Sequence, residues 1–91
     1  MKISTSKLEL QTALQKLSKA TPSRATLPIL NSVLFNVDEN KTTIKSTDLE
    51  ITVVVSLPAS VEEVGGVAIP LHMLLSITNE LPDETRVNIK T

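Results

Sequence analysis

"VAIPLHMLLSITNELPDETRVNIKT", residues 67–91, decides the fold, because it repeats in order what the first residues of the chain do. "VAIP" is a short apolar strand, and Pro70 falls at the first helical position, where its missing donor is not needed. "LHMLLSITNEL" predicts a helix stopped by Pro82, and "DETRVNIKT" turns and begins another strand. At the other end of the chain "MKIST" alternates as a strand, and Ser6 followed three residues on by Glu9 is a capping box that starts a helix. Leu10, Ala13, Leu14 and Leu17 then share one face by the i, i+3, i+4, i+7 spacing, with Gln11, Gln15, Lys16 and Lys19 away from it. Both segments read strand, helix, strand.

Pro22 ends the first helix, since proline lacks the donor and biases the residue before it away from helical backbone. Residues 29–57 alternate well enough for three strands, with "DENK" (38–41) as a hairpin turn and Ser46 to Asp48 as a second tight connection. Leu49, Ile51, Val53, Val55 and Leu57 share one face; Glu50, Thr52 and Ser56 point the other way, with Val54 the exception. Pro58 to Gly66 reads as an acidic linker holding both glycines. The expected fold is therefore α+β, a duplicated βαβββ unit with helices on one face of antiparallel sheets. Its first copy occupies 1–57, the linker 58–66, and a truncated second copy 67–91. A second copy that lacks its hairpin is expected to be a fragment with an unpaired sheet edge.

Composition narrows function by what it withholds. Apolar residues are 41% of the chain, yet Phe35 is the only aromatic, so the core must be aliphatic and no platform exists for stacking bases. With no cysteine and one histidine, His72, the parts for a disulfide scaffold, a zinc site or a Cys/His or Ser/His nucleophile are missing. Asp48 and Glu50 share a strand face, but no third ligand or phosphate loop accompanies them, and a structural role is expected. No enzyme activity, cofactor or metal is expected. There is no signal-peptide pattern and no apolar run of membrane-spanning length, so a cytoplasmic protein without membrane contact is the expectation. The net charge is −1, but residues 1–24 hold five basic residues against one acid, whereas the remainder holds four against nine. That asymmetry can present one positive face.

"SRATLPIL" (23–30) and "STDLEI" (46–51), with "MKI" and "ALQKLS" (13–18) upstream, resemble the start of the bacterial replicative sliding-clamp family, the beta subunit of DNA polymerase III. The resemblance runs from Met1 to about Val67 and continues more weakly through "VAIPLHMLLSITNELPDE". It implies a head-to-tail dimeric ring of similar domains, sheets outside and helices facing duplex DNA, which is encircled without sequence being read. It also implies that the polymerase III catalytic subunit and a clamp loader are bound through domains absent from these residues. Arg24 matches the arginine that the family sets at the inner rim against the DNA backbone, and Pro22 and Pro28 would lower the entropy cost of that contact. In the implied fold Gln15, Lys16 and Lys19 turn toward DNA; otherwise they form, with Lys7, an ordinary solvated helix face. Met73 and Ile77, i, i+4 neighbours off the stripe of Leu71, Leu74, Leu75 and Leu81, fall near the implied contact with a second subunit. His72 is expected to be an ordinary exposed side chain. The alternative is a small α+β interaction or dimerisation module with no DNA role.

Overall fold

The structure, a computed structural model, describes residues 1–19, 32–47 and 52–91. Strand β1 (Lys2–Ser6) runs straight into helix α1 (Lys7–Ser18). Ser6 serves both: its backbone is extended, and its hydroxyl accepts from the Glu9 N–H at 3.2 Å, satisfying one of the orphan donors of the first turn. The Glu9 carboxylate lies 3.4 Å from the Thr5 hydroxyl, which donates at 2.7 Å to the Pro58 carbonyl.

Strands β2 (Ser32–Val37) and β3 (Thr42–Thr47) form a hairpin whose turn is closed by the Asp38 N–H on the Lys41 carbonyl at 2.8 Å. Strand β4 (Thr52–Ser56) pairs with β3. Ser46 and Thr47 belong to β3, not to a tight connection. Their small polar side chains resemble turn residues, but Ser46 is buried and pairs with Val53, and the Thr52 hydroxyl donates to that of Thr47 at 3.2 Å. Asp48 to Ile51, which include Glu50, lie outside the described residues.

The segment expected to be a linker, 58–66, contains strand β5 (Ser60–Glu63) and the start of strand β6 (Gly65–Pro70). Charged and glycine residues hid the alternation there. Val61 turns inward against the core while Ser60, Glu62 and Glu63 stay exposed. Gly65 holds φ +148°, a conformation open to glycine, and a Cβ there would stand 3.2 Å from the Met1 nitrogen. Helix α2 (Leu71–Asn79) follows, with Pro70 as its N-cap, one position before the expected one, and Glu80 as its C-cap. Strand β7 (Arg86–Lys90) ends the described architecture.

Two antiparallel sheets result, ordered β5-β1-β7 and β4-β3-β2-β6. The order explains the repeat. Exchanging β1 with β6 and β2 with β7 turns the β1·β7 pair into the β6·β2 pair, so the halves are related by an internal two-fold and each lends a strand to the other's sheet. Aligning the helices on their first residues, Lys7 and Leu71, matches Leu10 with Leu74, Leu14 with Thr78 and Leu17 with Leu81. Helix α1 packs on α2 and on β1, β3 and β4, and α2 packs on β6. The buried core is aliphatic apart from Phe35, and each fully buried Leu, Ile or Val contributes about 1.5–3 kcal/mol.

The halves are not equally buried. Ile3, Leu10, Ala13, Leu14, Leu17, Val33, Phe35, Val37, Ile44 and Leu57 are buried, but of the apolar residues of the second half only Leu71 joins them. Val67, Ile69, Leu74, Leu75, Val87 and Ile89 are partly buried around that core.

Candidate functional site

The apolar face of α1 is pinned by the core, which fixes what its other face can do. Leu10, Ala13, Leu14 and Leu17 point inward, leaving Gln15 and Lys16 on the outer side of the last turns and Lys19 at the C-cap, all exposed. Residues three and four apart are neighbours on a helix, so the three side chains form one cluster. The Ser18 hydroxyl donates to the Gln15 carbonyl at 2.7 Å and settles one of the orphan acceptors of that helix end. Among the described residues two ion pairs form, Lys2 with Glu62 at 3.0 Å and Lys7 with Asp83 at 2.9 Å, and neither involves Lys16 or Lys19. Both ammonium groups are thus available to an outside anion. Arg24, with Pro22 and Pro28, lies outside the described residues.

Lys7 is no part of that cluster. The alternative reading sets it with Lys16 and Lys19 on an ordinary solvated face, but its side chain is only 6% exposed, and its ammonium donates to Asp83 Oδ1 beyond the end of α2. The signal was in the spacing, since Lys7 stands three residues before Leu10 and seven before Leu14, in phase with the buried stripe. Beside it the Lys7 N–H donates to the Thr85 carbonyl at 2.9 Å, and Gln11 Nε2 donates to Asn79 Oδ1 at 2.7 Å. These polar contacts between the halves carry no local pattern and could not be read from sequence.

On α2, Met73 and Ile77 stand 55% and 54% exposed, off the stripe formed by buried Leu71 and partly buried Leu74, Leu75 and Leu81. The internal two-fold gives Ile77 a reference point. Its counterpart Ala13 is buried on α1, which packs on β4, whereas no described strand covers Ile77. Thr78, in phase with Leu71 and Leu74, is buried and donates to the Leu74 carbonyl at 2.7 Å. His72 is exposed. Among the described residues no group of His, Cys, Asp or Glu is placed to hold a metal, and no helix is long and apolar enough to cross a membrane.

On the outer face of the first sheet, Arg86 Nε donates to the Ser4 hydroxyl at 2.9 Å. The Lys2 ammonium is held above its ordinary pKa of 10.5, first by its hydrogen bond to Glu62 and then by that carboxylate's charge. A raised lysine pKa favours the folded state below the ordinary value and ceases to do so as pH climbs past it, so this pair leaves stability flat across neutral pH. Being exposed, it contributes little.

A duplicated strand-helix-strand chain with two antiparallel sheets and a shared helix layer defines the sliding-clamp class of fold. The structure of Caulobacter crescentus pol III beta superposes with a TM-score of 0.94 at 27% identity, covering 99% of this chain and 24% of that one. The chain belongs to the family described as DNA polymerase III beta subunit, N-terminal domain, which it matches over residues 1–91. Beta sliding clamps are its relatives in sequence. That of Vibrio cholerae is 32% identical over 90 residues, 98% of this chain and 25% of the relative, and that of Vibrio harveyi is 34% identical over 86 residues, 93% of this chain and 59% of the relative. The chain thus spans about a quarter of the length of the Vibrio cholerae relative.

Proposed function

We propose that this chain works as the N-terminal domain of a replicative sliding clamp, which encircles duplex DNA and tethers the replicative polymerase without reading sequence. The observation that carries the proposal is the match to that domain family over residues 1–91, joined to a helix layer that offers two exposed, unpaired lysines. Lys16 and Lys19, with Gln15 as a neutral donor and Arg24 from the adjoining segment, meet phosphate oxygens and no base edges. Contacts of that kind position a duplex and carry no sequence information. Met73 and Ile77 contribute to the contact with a second clamp subunit, which closes the ring. The polymerase III catalytic subunit and the clamp loader are engaged through regions of the whole protein beyond these residues. The domain is an accessory scaffold in the cytoplasm, with no catalytic role.

The test is retention. Residues 1–91 replace the matching quarter of the Vibrio cholerae clamp, and the chimera is loaded on nicked circular DNA. It should stay on the circle and run off once the circle is cut. Equal loss from both forms would sink the encircling role.

A further inference from the structure

Charge is distributed unevenly along the helix layer. The Lys7–Asp83 and Gln11–Asn79 contacts set α1 and α2 antiparallel, with the first turns of α1 beside the last turn of α2. At that end Glu9, Glu80 and Glu84 are exposed, while Lys7 is buried and neutralised by Asp83. At the opposite end stand Lys16 and Lys19, and the first turn of α2 holds no acid. One end of the layer is cationic and the other anionic.

Helix stability explains only half of this. In α1 the acid lies in the first turn and the base in the last, as the helix dipole favours. In α2 neither preference is met, with no acid in the first turn and no base in the last. Glu80 sits at the C-cap, where the dipole disfavours an anion, and the last turn contains no base to offset it. Glu80 is therefore placed against the preference of its own helix, on the same end of the layer as Glu9 and Glu84.

We infer that this polarity confines the duplex to one end of the helix layer: phosphates are held at the C-terminal end of α1 by Lys16 and Lys19 and fended off from the C-terminal end of α2 by Glu80 and Glu84. The inference rests on the DNA-facing reading above. It gives this domain a small number of phosphate contacts, about two from the described lysines, and hence a shallow salt dependence of about −0.9 per contact. Few contacts suit a protein that must hold DNA and still move along it.

The 91-residue chain, labelled with 15N, is titrated with a short random-sequence duplex at low salt, and amide shifts are followed on both helices. Shifts should cluster at Gln15, Lys16 and Lys19 and leave Asn79 to Glu84 silent. The double substitution Glu80→Lys, Glu84→Lys should tighten binding several-fold and steepen the salt slope by about 1 to 2, whereas Lys16→Gln with Lys19→Gln should abolish the shifts. Both pairs are exposed, and an unchanged amide spectrum of the free variants verifies folding. Shifts spread evenly along both helices, or a charge-reversed variant that binds no tighter than the parent, would overturn the polarity and leave DNA contact standing. No shifts on either helix would overturn the DNA-facing reading as well.

Discussion

Lys7 and Asp83 form one ion pair whose partners sit in different surroundings: the lysine side chain is 6% exposed and the aspartate 72%. Removing the aspartate strands an ammonium in the interior, while removing the lysine leaves a carboxylate that water solvates. Asp83→Ala should therefore cost about 2 kcal/mol, and Lys7→Met less than half of that, as measured by urea unfolding. Equal costs would show that the pair behaves as a surface bridge. Thr42 offers the opposite case. Its hydroxyl is buried without a hydrogen-bond partner, and its place in β3 suits a β-branched residue of the same shape. Thr42→Val should stabilise the chain by about 1 kcal/mol, since an unsatisfied buried hydroxyl carries a desolvation cost that the methyl group does not. A lower midpoint of unfolding would mean that the hydroxyl has a partner in solution.

At the scale of elements, β6 is an edge strand whose one strand partner, β2, lies close against it. Asn36 on β2 pairs with Gly66, and a Cβ on Gly66 would stand 3.0 Å from the Phe35 carbonyl oxygen, a backbone atom that cannot step aside. Gly66→Ala should cost about 1–3 kcal/mol and weaken amide protection on β2 and β6 ahead of β3 and β4. A variant as stable as the parent would show that the two strands can part at no cost. Sequence made much of this architecture legible. The α1 face came from its spacing, the 38–41 hairpin from its turn residues, and the duplication from the matched order of strand, helix and proline. What it hid was governed by tertiary contact. β5 is a strand because β1 lies beside it, and acids with adjacent glycines give no local hint of that. Lys7 shows the converse, since its spacing marked it as inward while its charge argued for water. Of the candidate site, the exposure of Gln15, Lys16 and Lys19 followed from the stripe they avoid. The antiparallel setting of the two helices, which separates lysines from glutamates, depends on Gln11–Asn79 and Lys7–Asp83 contacts made across the whole length of the chain.

For the molecule as a whole, the difference in burial between the halves sets where change is tolerated. The first half closes its core with β4 and Leu57, while the second presents Met73 and Ile77 on α2 and leaves Val87 and Ile89 partly buried. Ile77→Lys should shift the stability of the chain by no more than about 0.5 kcal/mol, as exposed substitutions do. The same change in a complete clamp should weaken the subunit contact, read as a raised dimer dissociation constant in sedimentation. Loss of folding in the isolated chain would instead make Ile77 a core residue. Strand β1 has a further consequence, for synthesis. It is the middle strand of its sheet, flanked by β5 and β7, with Lys2 opposite Lys90. A ribosome that adds about 5–20 residues per second makes β1 before either partner, and must run for several seconds more before β7 emerges. β1 thus waits for its second partner while the rest of these residues are made, and until then one side of its backbone stays open to wrong pairing and to a chaperone's cover.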